Sequence, residues 1–173
     1  MLKNKNGFTL IEILIVIGLS SIIISLIMSF FMVNIKNYEN ISVETELQFQ
    51  SQYILNFMAN KILQSSYIEL IKDSTVSHMY HTGSQKITKI AFRYGDSSIE
   101  CFIFEFRNNK IYYGNNYSTS TANIELGAYI KEIYVEPVPN STVFKNTKAI
   151  KLKLILQKNN ELLQVEQTIF MRN

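Results

Sequence analysis

Lys3-Asn4-Lys5-Asn6-Gly7-Phe8-Thr9-Leu10-Ile11-Glu12 opens the chain, and an uncharged apolar run from Ile13 to Val33 follows it. The run is 21 residues long, and at helical rise it spans ~31 Å, close to the ~30 Å hydrocarbon core of a bilayer. It outlasts the apolar core of a secretory signal peptide, which is about 7–15 residues. Ser20, Ser21, Ser25, Ser29 and Gly18 lie inside it, small residues that let a neighbouring helix approach closely. Glu12 is the anomaly. A carboxylate at the centre of a membrane helix costs roughly 2.5–3.5 kcal/mol, so one there is kept only when paired or functional. Lys3 and Lys5 before the run, against Lys36 alone just after it, place the N-terminus in the cytoplasm and the bulk of the chain outside.

Outward from this anchor, the first proline is Pro137, and Gly18 is the only glycine between Phe8 and Ser66. A helix can therefore continue unbroken into polar sequence. Val43, Leu47, Ile54, Met58 and Ile62 recur at helical spacing, with Glu39, Glu44, Glu46, Asn60 and Lys61 on other faces. The pattern predicts one helix of about 59 residues ending near Ser65-Ser66, apolar all round in its first half and amphipathic in its second. The second stripe needs a globular part folded against it. The expected division is 1–7 as a leader, 8–35 as a transmembrane helix, 36–66 as its amphipathic continuation and 67–173 as a β-rich head. A chain of 173 residues has room for one such domain beside a membrane segment.

In the head, Tyr67 to Lys86 reads as an irregular connecting loop with room for a short helix or strand, and the period then changes to two. Ile87–Tyr94 and Ile99–Arg107 read as strands around Gly95-Asp96-Ser97-Ser98, in a register that sets Arg93 against Glu100. Asn108-Asn109 reads as a two-residue turn that pairs Phe106 with Ile111 and Phe104 with Tyr113. Both faces of this sheet look apolar, one to cover the helix and the other to lie under a loop or against another subunit. Ile130–Val135 follows as a strand ended by Pro137 and Pro139. Ala149–Gln157 and Leu162–Met171 flank Asn159-Asn160, which pairs Ile150 with Ile169, Leu154 with Val165, Leu156 with Leu163 and Lys153 with Glu166.

The inventory for chemistry is thin. There is no Gly-rich phosphate loop, no Gly-x-Ser-x-Gly and no His-Glu-x-x-His, so no enzymatic activity and no cofactor are expected. His78 and His81 stand three apart without a cysteine or acidic cluster nearby, too few ligands for a zinc site. Cys101 alternates with apolar neighbours as a small buried hydrophobe, and a single cysteine forbids an internal disulfide. The formal charge is +3; without Lys3 and Lys5 the balance falls to +1, which gives nucleic-acid binding no support.

Cutting between Gly7 and Phe8 would create an α-amine, mostly protonated at neutral pH. Phe8 and Glu12 are i and i+4, so that amine and the carboxylate can neutralise each other within one helix or between adjacent helices. In an assembly, misregistered helices would leave both charges unpaired in lipid, so the pair would enforce stagger.

Lys5-Asn6-Gly7-Phe8-Thr9-Leu10-Ile11-Glu12 with Ile13–Val33 resembles the signal of type IV prepilins and type II secretion pseudopilins. The resemblance implies an α+β, pilin-like fold in which a long N-terminal helix packs on an antiparallel sheet. It further implies cleavage after Gly7 by a prepilin peptidase, N-methylation of Phe8, and assembly through Phe8 and Glu12 with other pilin subunits on a membrane platform. The implied location is the cytoplasmic membrane and then an extracellular filament. Ser29 stands near the place where many major pilins carry a kinking proline, and the strand-rich C-terminal half looks like minor pilins or minor pseudopilins of the W or J type. Two alternatives stand beside this reading. One is a filament-tip binding module for DNA or a surface, working through the loop Gly114–Asn123, which offers Tyr117 and no Lys or Arg. The other is an uncleaved signal-anchored surface protein.

Overall fold

The computed structural model describes residues 9–73, 76–95, 101–115 and 121–172. Among the described residues, the helix α1 (Leu10–Ile62) precedes ten strands, β1 (Tyr67–Asp73), β2 (Val76–Ser77), β3 (Gln85–Lys86), β4 (Lys89–Arg93), β5 (Cys101–Arg107), β6 (Lys110–Gly114), β7 (Ile124–Gly127), β8 (Ile130–Val138), β9 (Ala149–Lys158) and β10 (Glu161–Phe170), with a 3-10 turn at Phe144–Asn146. The strands form two antiparallel sheets rather than one, ordered β2-β1-β4-β5-β6-β7 and β10-β9-β8-β3. The chain divides into two compact units, Met1–Ser42 and Val43–Asn173.

In the second unit, α1 buries Leu47, Ser51, Ile54, Leu55, Met58, Ala59 and Ile62, the stripe that helical spacing predicts, widened by the positions between. These side chains join one continuous core with Phe92, Phe102 and Phe104 of the larger sheet and Leu152, Leu154 and Leu156 of the smaller. The aromatic part has specific geometry: Phe57 meets Tyr113 edge-on at 5.2 Å, and Phe92 stacks on Phe102 at 5.3 Å. α1 ends at Ile62, a few residues before the expected Ser65-Ser66. The last turn tightens through Gln64 N–H to the Lys61 carbonyl and Ser65 N–H to the Ile62 carbonyl. The Ser65 hydroxyl also donates to that Ile62 carbonyl at 2.7 Å, so the final carbonyls are satisfied without further helix.

Both two-residue hairpins have the expected register. Phe106 faces Ile111 and Phe104 faces Tyr113, with Asn108 and Asn109 at φ 52° and 58°. Ile150, Leu154, Leu156 and Lys153 face Ile169, Val165, Leu163 and Glu166. The β4–β5 register is shifted by one from expectation. Arg93 pairs with Cys101, and its guanidinium instead meets Glu69 on β1 at 2.7 Å; Glu100 lies outside the described residues. Tyr67–Lys86 is also more ordered than expected, since it contains β1, β2 and β3. A bulge between Ile68 and Leu70 places buried Ile68 and Ile71 three residues apart on β1, which hides the two-residue period. Pro137 does not end its strand: β8 runs to Val138. Among the described residues β3 covers β8 only at Tyr134 and Val135, so at Pro137 a missing N–H costs no ladder bond on that edge.

The second face of the larger sheet is small and covered. Ala91, Ile103 and Ala122 form a separate buried cluster, and β5 clamps the covering backbone: Ala122 N–H donates to Glu105 at 3.0 Å and Arg107 donates to the Ala122 carbonyl at 2.8 Å. The outward face of the smaller sheet carries ion pairs, Lys86 on Glu132 at 3.0 Å and Lys151 on Glu166 at 2.6 Å, beside exposed Leu162 and Phe170. At the hairpin end Lys158 bonds Glu46 of α1 and lies 4.6 Å from the Tyr129 ring.

Gly127 marks the tightest approach of strand to helix. A Cβ there would sit 2.7 Å from Ile54 Cδ1 and 2.8 Å from Gln50 Oε1, and Ile54 is fully buried and held by its neighbours. Gly127→Ala is expected to destabilise the head by about 1–3 kcal/mol, the usual cost of overpacking. Chemical denaturation of the detergent-solubilised chain would read this as a lower midpoint with an unchanged slope.

Candidate functional site

The first turn of α1 shows how the chain accommodates its anomalous carboxylate. Thr9 precedes the helix, and its backbone N–H and its hydroxyl both donate to Glu12 Oε2, at 2.8 and 2.9 Å. The Glu12 N–H returns a bond to the Thr9 hydroxyl oxygen at 3.3 Å. This reciprocal arrangement is a capping box, which satisfies backbone donors that have no partner inside the helix. It also sets the carboxylate at the positive end of the helix dipole. Charge and hydropathy single out Glu12 and pass over Thr9; the Thr-x-x-Glu spacing is the signal that finds it. Gly7 and Phe8 lie outside the described residues.

Beyond the cap, every residue from Thr9 to Ser42 is exposed in the single chain, and α1 has the length and composition to cross a membrane. Three of its polar side chains are turned onto their own helix. Ser21 donates to the Gly18 carbonyl at 2.7 Å, Ser29 to Ser25 at 3.0 Å and Asn34 to Phe30 at 2.7 Å. Such back-bonding gives these three side chains a local partner, which lowers the cost of taking them out of water. Chemically, the segment offers an apolar cylinder with one anchored negative charge at its start.

The other sequence candidates lie in the head. Cys101 is buried in β5. His78 and His81 meet edge-on with ring centroids 5.0 Å apart, and among the described residues no group of three or more His, Cys, Asp or Glu is placed to hold a metal. Tyr117 of the polar loop lies outside the described residues.

Residues 2–28 match the family model described as the prokaryotic N-terminal methylation motif. The chain thus carries a prepilin-type motif on a membrane-capable helix, and the match supports a type IV pilin-like family. No curated protein and no solved structure matches the chain.

Replacing Thr9 tests the cap. Thr9→Ala is expected to weaken the helix start by about 1 kcal/mol, the usual cost of losing an N-cap side chain, while Thr9→Ser leaves it intact. Amide exchange of Leu10–Glu12 in micelles should be faster in the alanine variant only.

Proposed function

We propose that the chain is a non-enzymatic, minor pilin-like subunit that helps to initiate or cap a type IV pilus or pseudopilus. The observation that carries this reading is the methylation motif over residues 2–28, running without a break into an exposed apolar helix. In this reading residues 1–7 are a leader that a prepilin peptidase removes after Gly7, and Phe8 becomes the N-methylated first residue. Residues 8–35 hold the subunit in the cytoplasmic membrane with its head outside. They then pack among the helices of other pilin-like subunits as the assembly platform extracts it.

Physical chemistry supplies the steps. Lipid covers the apolar cylinder during storage, and neighbouring helices cover it during assembly, so the subunit exchanges one apolar surrounding for another at little cost. Electrostatics can set the stagger. A protonated amine at Phe8 and the Glu12 carboxylate attract strongly when water is excluded, and a neighbour out of register would bury both unpaired.

Two substitutions separate the parts of this mechanism. Replacing Gly7 with a bulky residue should leave the leader attached. N-terminal mass spectrometry of the wild type should find a methylated Phe8 terminus, whereas an intact Met1 terminus would favour an uncleaved anchor. Glu12→Gln keeps a side chain that can close the capping box but removes the charge. Processing should then continue while incorporation into filaments falls at least tenfold by immunoblot of sheared fractions, and unchanged incorporation would show that the charge is dispensable.

A further inference from the structure

Val76–Lys86 is one of the stretches that link the two sheets of the head, which the chain also crosses between Lys86 and Lys89 and between Gly127 and Ile130. Its start, β2, covers the edge of β1 by pairing Ser77 with Lys72 and Val76 with Asp73. Its end, β3, covers the edge of β8 by pairing Gln85 with Val135 and Lys86 with Tyr134. Each covering strand is two residues long, so few ladder bonds hold it. The turn between them carries much of the attachment. His78 N–H donates to the Ile71 carbonyl at 2.9 Å, Lys145 N–H to Met79 at 3.0 Å, and Gly83 N–H to Asn140 at 3.2 Å. The side chain at the centre of this joint is His78.

His78 is placed awkwardly for an imidazole. Both ring nitrogens are covered from solvent and neither has a hydrogen-bond partner among the described residues. A neutral ring strands one donor there; an imidazolium would strand two and add a charge. The charged groups acting on it are His81 on the same turn and Asp73 at the end of β1, while Lys145, from the segment after β8, places its ammonium 5.2 Å from the ring of Tyr80 on the turn between β2 and β3. Burial, then the charge on His81, push the His78 ring below the usual histidine range, and Asp73 opposes them more weakly.

We propose that Val76–Lys86 is an acid-released guard, in which protonation of His78 opens the joint and uncovers the edges of β1 and β8. The sign follows from linkage. A base whose pKa is depressed in the closed form takes up a proton on opening. Closure is therefore fully supported above the ordinary histidine pKa of about 6.5 and is lost as pH falls toward the depressed value. An uncovered strand edge presents unpaired N–H and C=O groups that template pairing with another strand, so acidity would change how the head meets its neighbours. The polar pair Lys86–Glu132 stays ionised through this interval, and replacing His78 alone separates its part from that of His81.

Hydrogen exchange on the full chain in detergent micelles, at pH 7.5 and 5.5 with labelling times corrected for intrinsic rates, tests this. Opening of peptides covering residues 76–86 should rise several-fold, up to about tenfold per proton taken up over one pH unit, while the β9–β10 hairpin is unchanged. His78→Phe, which keeps a ring and removes titration, should abolish the increase. Equal protection of the wild type at both pH values, or a pH response that survives in His78→Phe, would overturn the proposal. If that variant does not fold, the ring titration of the wild type by NMR decides: a His78 midpoint below that of His81 sustains the guard, and a midpoint at or above the ordinary value removes it.

Discussion

A helix cannot bury its own surface, and α1 has more apolar surface than one small head can cover. From Leu47 to Ile62 its stripe is enclosed by two sheets, whereas from Leu10 to Val33 it is apolar around the whole circumference and exposed in the single chain. The first condition shapes the head. The second requires an environment outside the chain, lipid or other helices, because water is a poor solvent for so many Ile, Leu and Phe side chains. The same continuous element thus imposes a fold at one end and an association at the other.

Within the head, the burden falls on aromatic packing rather than covalent links. One cysteine excludes an internal disulfide, and the core instead combines Phe92, Phe102, Phe104 and Tyr113 with aliphatic residues of both sheets. Gly127 allows β7 to approach α1 more closely than any side chain would permit. Cations lie near rings on the surface: Arg107 is 4.4 Å from the Tyr112 ring and Lys61 is 5.4 Å from Tyr113. These contacts wrap the margins of the core.

Local order was legible where two strands are joined by two residues, because turn closure then sets every pair. The β9–β10 hairpin, from Ile150–Ile169 to Leu156–Leu163, is the clearest case. Legibility failed where a longer connection let register float. With seven residues between Arg93 and Cys101, nothing local specifies the pairing, and Arg93 finds its carboxylate on β1, which is distant in sequence. It failed again at β1, whose bulge breaks the alternation, and at Pro137, whose tolerance depends on how far β3 extends. For the candidate site, Glu12 stood out as a charge among apolar residues, and Thr9 did not. The partner that stabilises the carboxylate in the single chain is a hydroxyl and a backbone amide, groups that hydropathy does not weigh.

The capping box has a further consequence. Both donations from Thr9 converge on Oε2 of Glu12, and a carboxylate has two oxygens with about four acceptor positions in all. The group is bivalent: one oxygen can fasten the helix terminus while the other receives a cation arriving from elsewhere. Holding the helix end and recognising a neighbour then do not compete for the same lone pairs. A helix fastened this way need not release its first turn in order to receive that cation.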